Sequence, residues 1–148
     1  MSVTADYDIV DIAQAVADEL NAQSWSVDFT AKRGYLTLTE LKSIGSSINV
    51  RVAPESLVDG DTITRGGTSE SWGVSIAIAQ KADTDDAVDT LVRLELAIRH
   101  HFDSLGKVAG ATIDGTDLGD GTGLLYQTQL LHQANLFVGV LTLSLETR

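Results

Sequence analysis

The sequence predicts an α+β domain in which two amphipathic helices pack on one face of a mainly antiparallel sheet. Three observations carry this reading. Two stretches, Asp6 to Ala22 and Asp83 to Leu105, repeat apolar residues at helical spacing. Several shorter stretches between and after them alternate apolar with polar residues, the period of a half-buried strand. The 148 residues contain no internal repeat and no linker long enough to separate domains, so residues 1–148 read as one unit. A globule of this length buries roughly 68–70% of the surface its unfolded chain exposes, and paired helices hide the apolar face of such a sheet from water. A β-barrel with two outer helices uses the same elements and stands as the alternative architecture.

In the first helical stretch Ile9, Ile12, Ala13, Val16 and Leu20 form the apolar stripe, with Asp8, Asp11, Asp18 and Glu19 mostly off it. Thr4 or Asp6 can cap it, the early aspartates suit the positive end of its dipole, and Asn21 with Ser24 marks its stop. Trp25, Val27 and Phe29 then alternate with Ser26, Asp28 and Thr30, predicting a first strand up to a break at Lys32-Arg33-Gly34. Tyr35 to Leu41 fits either an extended segment or one helical turn, closed by Gly45. Ile48, Val50 and Val52 predict a second strand, which ends at Ala53-Pro54 because proline has no N–H to donate. From Pro54 to Ser71, Asp59-Gly60-Asp61 and Gly66-Gly67 surround a short Thr62-Ile63-Thr64 piece, predicting a turn, a short strand and an exposed loop. Trp72, Val74, Ile76 and Ile78 give the clearest strand of the chain, running to Gln80.

The second helix opens on Asp83-Thr84-Asp85-Asp86, carries Val88, Leu91, Val92, Ile98 and Phe102 as its stripe, and has Leu94 and Leu105 near the edges. Arg99, His100 and His101 suit the negative end of its dipole. The glycine-aspartate stretch from Gly106 to Gly123 is too long for an unstructured loop in so small a domain. It is expected in a hairpin, with Val108 to Ile113 and Leu124 to Leu130 as arms. A last strand places Phe137, Leu141, Leu143 and Leu145 on one face and Val138, Val140, Thr142 and Ser144 on the other, with a bulge expected at Gly139.

Composition excludes several functions. Against 21 Asp and Glu stand 10 Lys and Arg, a net charge of −11, which repels phosphate and offers no basic stripe for nucleic acid. The absence of cysteine removes disulfides, thiolate metal sites and cysteine nucleophiles. No apolar run approaches the roughly 20 residues that cross a bilayer, and the first apolar stretch has no basic flank, so cytoplasmic synthesis is expected. No G-x-S-x-G, Walker, G-x-G-x-x-G or H-E-x-x-H pattern occurs. Gly119 to Gly123 alternates glycine but leads into the extended-looking Leu124-Leu125-Tyr126 rather than a helix. His100, His101 and His132 read as helix-end residues, since adjacent helical side chains diverge by about 100°. Asp114, Asp117 and Asp120 read as a solvated turn, because their spacing lacks the alternate-position pattern of a calcium loop. The helix stripes carry apolar side chains alone, so no buried polar cluster of the kind a ligand pocket needs is expected. No catalytic residue, metal ligand or cofactor is assigned.

Charge placement is more informative. Residues 1–31 hold six acidic side chains and no Lys or Arg, whereas Lys32, Arg33, Lys42, Arg51, Arg65 and Lys81 lie between 32 and 81. Such polarity fits either two ordinary solvated surfaces or head-to-tail mating of copies. Trp25 reads as core; Trp72, beside the expected 54–71 loop, reads as either core or interface anchor.

Taken as a series, these elements resemble the tail terminator (tail completion) proteins of long-tailed bacteriophages. The likeness lies in the N-terminal amphipathic helix, a Val-rich strand ending near Pro54, the loop, and Gly73-Val74-Ser75-Ile76-Ala77-Ile78-Ala79-Gln80 leading into an acid-capped helix. It continues through Tyr126 and the Leu130-Leu131-His132-Gln133-Ala134-Asn135-Leu136-Phe137 connection to a C-terminal strand, spanning nearly the whole chain without a diagnostic motif. The Asp114 to Gly123 insertion departs from the pattern.

The resemblance implies a structural virion protein, not an enzyme. Its homo-hexameric ring would cap the head-proximal end of the tail tube, end tube growth and present a surface to the head's connector or neck proteins, while DNA passes through without sequence-specific binding. The 54–71 loop and the 108–130 hairpin are then the candidate contacts, with Arg51, Leu57, Val58, Ile63, Arg65 and Trp72 as candidate interface residues. A neck or head-completion subunit shares this composition. A small ligand-binding or enzyme domain is the rival from outside the virion.

Overall fold

The computed structural model describes residues 8–35, 38–64 and 67–147. Helix α1 spans Ile9–Ala22 and buries Ile12, Ala13, Val16, Ala17 and Leu20, the predicted stripe. Its cap is Asp8, whose carboxylate accepts from the Val10 N–H at 2.9 Å; Thr4 and Asp6, expected to cap it, lie outside the described residues. The expected strand at 25–30 is irregular chain instead, and β1 is only Ala31–Arg33, so that Lys32 and Arg33 sit inside the strand they were expected to end. The reason is local. The indole of Trp25 donates to the Leu20 carbonyl at 2.8 Å, folding the segment under the last turn of α1. Asn21 brackets the backbone of Ala31 through both its amide nitrogen and oxygen, at 2.9 and 2.8 Å.

Helix α2, Leu38–Lys42, gives one helical turn in the ambiguous 35–41 stretch, of which residues 36 and 37 lie outside the described residues. Strands β2 (Asn49–Thr64) and β3 (Gly67–Lys81) form one long antiparallel ribbon, not a strand, loop and strand. Pro54 does not end β2. The carbonyl of Val52 faces away from β3, where it accepts from the Gly34 N–H at 2.9 Å. Two residues on, the proline nitrogen faces that same side, and β1 pairs only with residues 50–52, so the missing donor falls on an open edge. The chain then slips register between Pro54 and Ser56 and again between Asp59 and Thr62.

Helix α3, Asp85–Leu105, begins at Thr84, whose hydroxyl accepts from the Ala87 N–H, and ends at Gly106 in the left-handed conformation that only glycine adopts without strain. The expected 108–130 hairpin is shorter and placed earlier. Strands β4 (Lys107–Val108) and β5 (Ala111–Leu118) turn on Ala109 and Gly110, both at positive φ. Residues expected in its second arm form instead a bend and helix α4, Thr128–Ala134. Most of the glycine-aspartate insertion is β5 and a 3-10 turn at Gly119–Gly121. Strand β6, Leu136–Thr147, closes the chain.

The six strands run β1-β2-β3-β6-β5-β4, antiparallel except for β1 with β2. Both long helices lie on one face, where Ile12, Val16, Leu20, Leu91, Ile98 and Phe102 meet Val52, Val74, Ile76, Leu141 and Leu143 in one core. The two-layer α+β reading holds, and the sheet is open, with β1 and β4 at its edges, rather than a barrel. On the opposite face a small second cluster of Ile44, Ala79, Leu136 and Val138 is joined by Leu41 and Leu130. No helix among the described residues is long and apolar enough to cross a membrane.

Candidate interaction surfaces

The β2–β3 ribbon is the most unusual element. Near the body, β3 lies between β2 and β6, whose pairing with it runs from Lys81↔Leu136 to Glu70↔Thr147. Beyond that point Thr62 pairs with Thr68 and Thr64 with Gly67, and these outer parts of the two strands hydrogen-bond only each other among the described residues. A two-stranded ribbon is marginal in water by itself, so this region of the fold lacks the support that a third strand or a helix gives the rest.

The five expected interface residues that are described are not gathered at one spot. Leu57, Val58 and Ile63 lie along β2 in the ribbon, Leu57 in register with Trp72 and Val58 with Ser71. Arg65 lies outside the described residues. Trp72 is 5% exposed and belongs to the main core, so of its two open readings the core one is correct for the isolated chain. Arg51 is half-buried on the opposite face, where its guanidinium holds Glu40 of α2 at 3.2 Å. The basic side chain expected to seek a neighbouring copy is thus used inside the chain.

Away from α2 and α4 the opposite face of the sheet is mostly small. Gly73, Ser75 and Ala77 of β3 stand in register with Ser144, Thr142 and Val140 of β6. A Cβ at Gly73 would run into the Ser56 hydroxyl, so the bulged stretch of β2 closes over that glycine. A shallow depression of about 410 Å³ lies there, bordered by Glu55, Trp72, Asp117 and Thr142, with the Thr142 hydroxyl donating to Glu55 at 3.2 Å. A second depression, of about 430 Å³, lies at the other end of the same face. It is lined by Leu41, Ile44, Leu130, Ala134 and Leu136 and bordered by the exposed Lys42 and Lys81. Sequence reasoning missed it, because its walls come from three separate stretches of chain.

The potential chemical groups stay apart. His101 faces Glu19 of α1 at 2.8 Å and meets the Trp25 ring edge-on, while His100 is exposed on the same last turns of α3. His132 lies instead beside Asp83, Thr84 and Asp89 at the other end of that helix. The three histidines therefore cannot share an ion, and no group of three potential ligands occurs among the described residues. Asp114 and Asp117 are exposed side chains of β5.

One polar residue overturns the expectation of purely apolar helix stripes. Glu95 is fully buried at 0% exposure, and neither carboxyl oxygen has a hydrogen-bond partner among the described residues. Burial pushes its pKa from the ordinary 4.5 up to about 8, so the carboxyl is neutral at pH 7. It rests over Gly139, where a Cβ would lie 2.6 Å from Oε2 and 2.9 Å from the Leu125 carbonyl oxygen. The glycine thus marks a close approach, not a bulge, and β6 keeps its register past it, Ile78 pairing with Gly139. The signal was present: position 95 is four after Leu91 and three before Ile98, in the middle of the stripe. Closed to solvent and without a hydrogen-bond partner among the described residues, Glu95 cannot reach a solute in this conformation.

No family model matches the chain, and a search of curated proteins finds no match.

Proposed function

We propose that this chain is a structural subunit of a bacteriophage virion, a tail terminator whose ring caps the head-proximal end of the tail tube. The observation that carries the reading is the β2–β3 ribbon, whose outer strands pair only with each other among the described residues. A ribbon of that kind gains its stability from a neighbouring molecule, as the subunit of a ring requires and a self-sufficient enzyme domain does not. The element order that carries the resemblance supports it as well: α3, with Asp85 and Asp86 in its first turn, follows β3, and β6 comes after α3.

In this reading six copies close a ring, its lower face joins the last ring of tube protein, and its upper face meets the connector or neck proteins of the head. The genome passes through the lumen. A net charge of −11 favours that passage, because a wall that attracted phosphates would retard the DNA. No catalytic step is assigned to any residue.

The test is end-capping. Purified protein is analysed by native mass spectrometry across a concentration series and then mixed with tail tubes grown from the tube protein of the same virus. A six-fold ring with an open centre, bound at one end of each tube and halting its growth, is the expected result. Tubes that elongate unchanged, with no density at either end, overturn the reading; binding to head connectors instead of tubes would make the chain a neck subunit.

A further inference from the structure

The ribbon and the lysine-bordered depression lie at opposite ends of the same strands. Gly67, at the tip side, and Lys81, at the depression, are the two ends of β3. At roughly 3.3 Å per residue they are about 45 Å apart, so a ribbon cannot fill the depression of its own chain. In sequence, residues 55–70 hold Glu55, Asp59, Asp61 and Glu70 against Arg65 alone, a net −3, with Leu57, Val58 and Ile63 among them. The depression offers the complement. Leu41, Ile44, Leu130 and Leu136 form an apolar floor, and neither Lys42 nor Lys81 has a carboxylate partner among the described residues.

We infer that the acidic ribbon of one copy docks into the Lys42–Lys81 depression of the next, a head-to-tail contact between copies of this chain. The inference rests on the ring reading above and names its contact. Because the two surfaces differ, the contact is heterologous: every copy gives one ribbon and receives one, and the series closes when the rotation between copies divides the circle. The same contact supplies the missing support of the ribbon and covers the partly buried Leu41 and Leu130, which pack on the buried Ile44 and Leu136. Opposed charges set the register, since a ribbon placed against another ribbon would bring like charges together.

The absence of native cysteine allows a direct test. Lys42→Cys and Asp61→Cys proteins are prepared separately, mixed under mild oxidation and compared with each alone. A disulfide-linked heterodimer should form at least about tenfold faster in the mixture than either homodimer forms alone, as docking raises the effective concentration of the two thiols. Equal rates overturn the inference. In parallel, sedimentation of Lys42→Glu/Lys81→Glu protein should show loss of self-association, regained on mixing with Asp59→Lys/Asp61→Lys protein. Circular dichroism checks that each variant folds; Lys42 ends α2, Lys81 ends β3, and Asp59 and Asp61 lie in the ribbon stretch of β2. Rings that survive the lysine reversal overturn this contact and leave the ring reading standing. A cross-link without any capping of tubes overturns the terminator reading and leaves the contact standing.

Discussion

Glu95 shows how one side chain couples packing to proton balance. In the unfolded chain its carboxyl ionises near 4.5, whereas in the fold it holds its proton to about pH 8. Between those values the folded state binds one proton more than the unfolded state, so stability falls as pH rises, by about 1.4 kcal/mol for each pH unit, and levels off above 8. Glu95→Gln removes the titration. Urea midpoints from pH 5 to 9 should therefore decline more steeply for the native protein than for the variant, and parallel curves would show that Glu95 is not held neutral. Gly139 belongs to the same contact. Gly139→Ala places a methyl 2.6 Å from Oε2 of Glu95 and 2.9 Å from the Leu125 carbonyl, and should cost about 1–3 kcal/mol by overpacking. Adding Glu95→Ala should recover only a fraction of that loss in a double-mutant cycle, because the backbone oxygen of Leu125 remains in the way.

At the scale of elements, what was legible followed periodicity, and what was not followed from hydrogen bonds that periodicity does not record. Helices α1 and α3 were readable because their stripes are long and their ends carry aspartates and a threonine cap. The 25–30 segment has equally good alternation, yet Asn21 and the Trp25 indole bind backbone at its two ends, and it never joins the sheet. Pro54 misled for a related reason: a proline ends a strand only where its nitrogen would face a partner, and here it faces an open edge. The ribbon was hidden by its glycines and aspartates, which resemble a loop until the register with β3 is seen. Among the candidate interface positions, Leu57, Val58 and Ile63 fall in the ribbon, but Arg51 is engaged with Glu40 and Trp72 is core. The ribbon also separates folding from assembly. Replacing residues 60–69 with Asn-Gly joins Asp59 to Glu70, which already face each other, through a two-residue turn. Since Thr62 and Thr64 pair only with Thr68 and Gly67 among the described residues, the unfolding free energy of the free chain should change by less than about 1 kcal/mol. Self-association should vanish in the same protein; a large loss of stability would mean that the ribbon supports the body.

Over the whole molecule, the decisive property of a head-to-tail ring is that each copy is needed twice. A chain with the shortened ribbon keeps its Lys42–Lys81 depression, so it accepts a neighbour, but its own ribbon, cut back to Asp59 and Glu70, is too short to reach the next depression. It therefore enters a growing arc and stops it. If closure takes six copies, a mixture containing a fraction f of shortened chains retains complete rings in proportion to the sixth power of (1 − f), about 2% at equal amounts. Tube capping should collapse with the same steepness, far below the half expected if shortened chains were merely inert. The measurement is a titration of shortened into native protein at fixed total concentration, with capped tube ends counted by electron microscopy. A linear fall would mean that shortened chains never enter the ring and that the depression is not the receiving surface. A steep fall that is relieved when the shortened chain also carries Lys42→Glu/Lys81→Glu would tie the poisoning to that depression, because a chain able neither to give nor to receive is excluded from the arc.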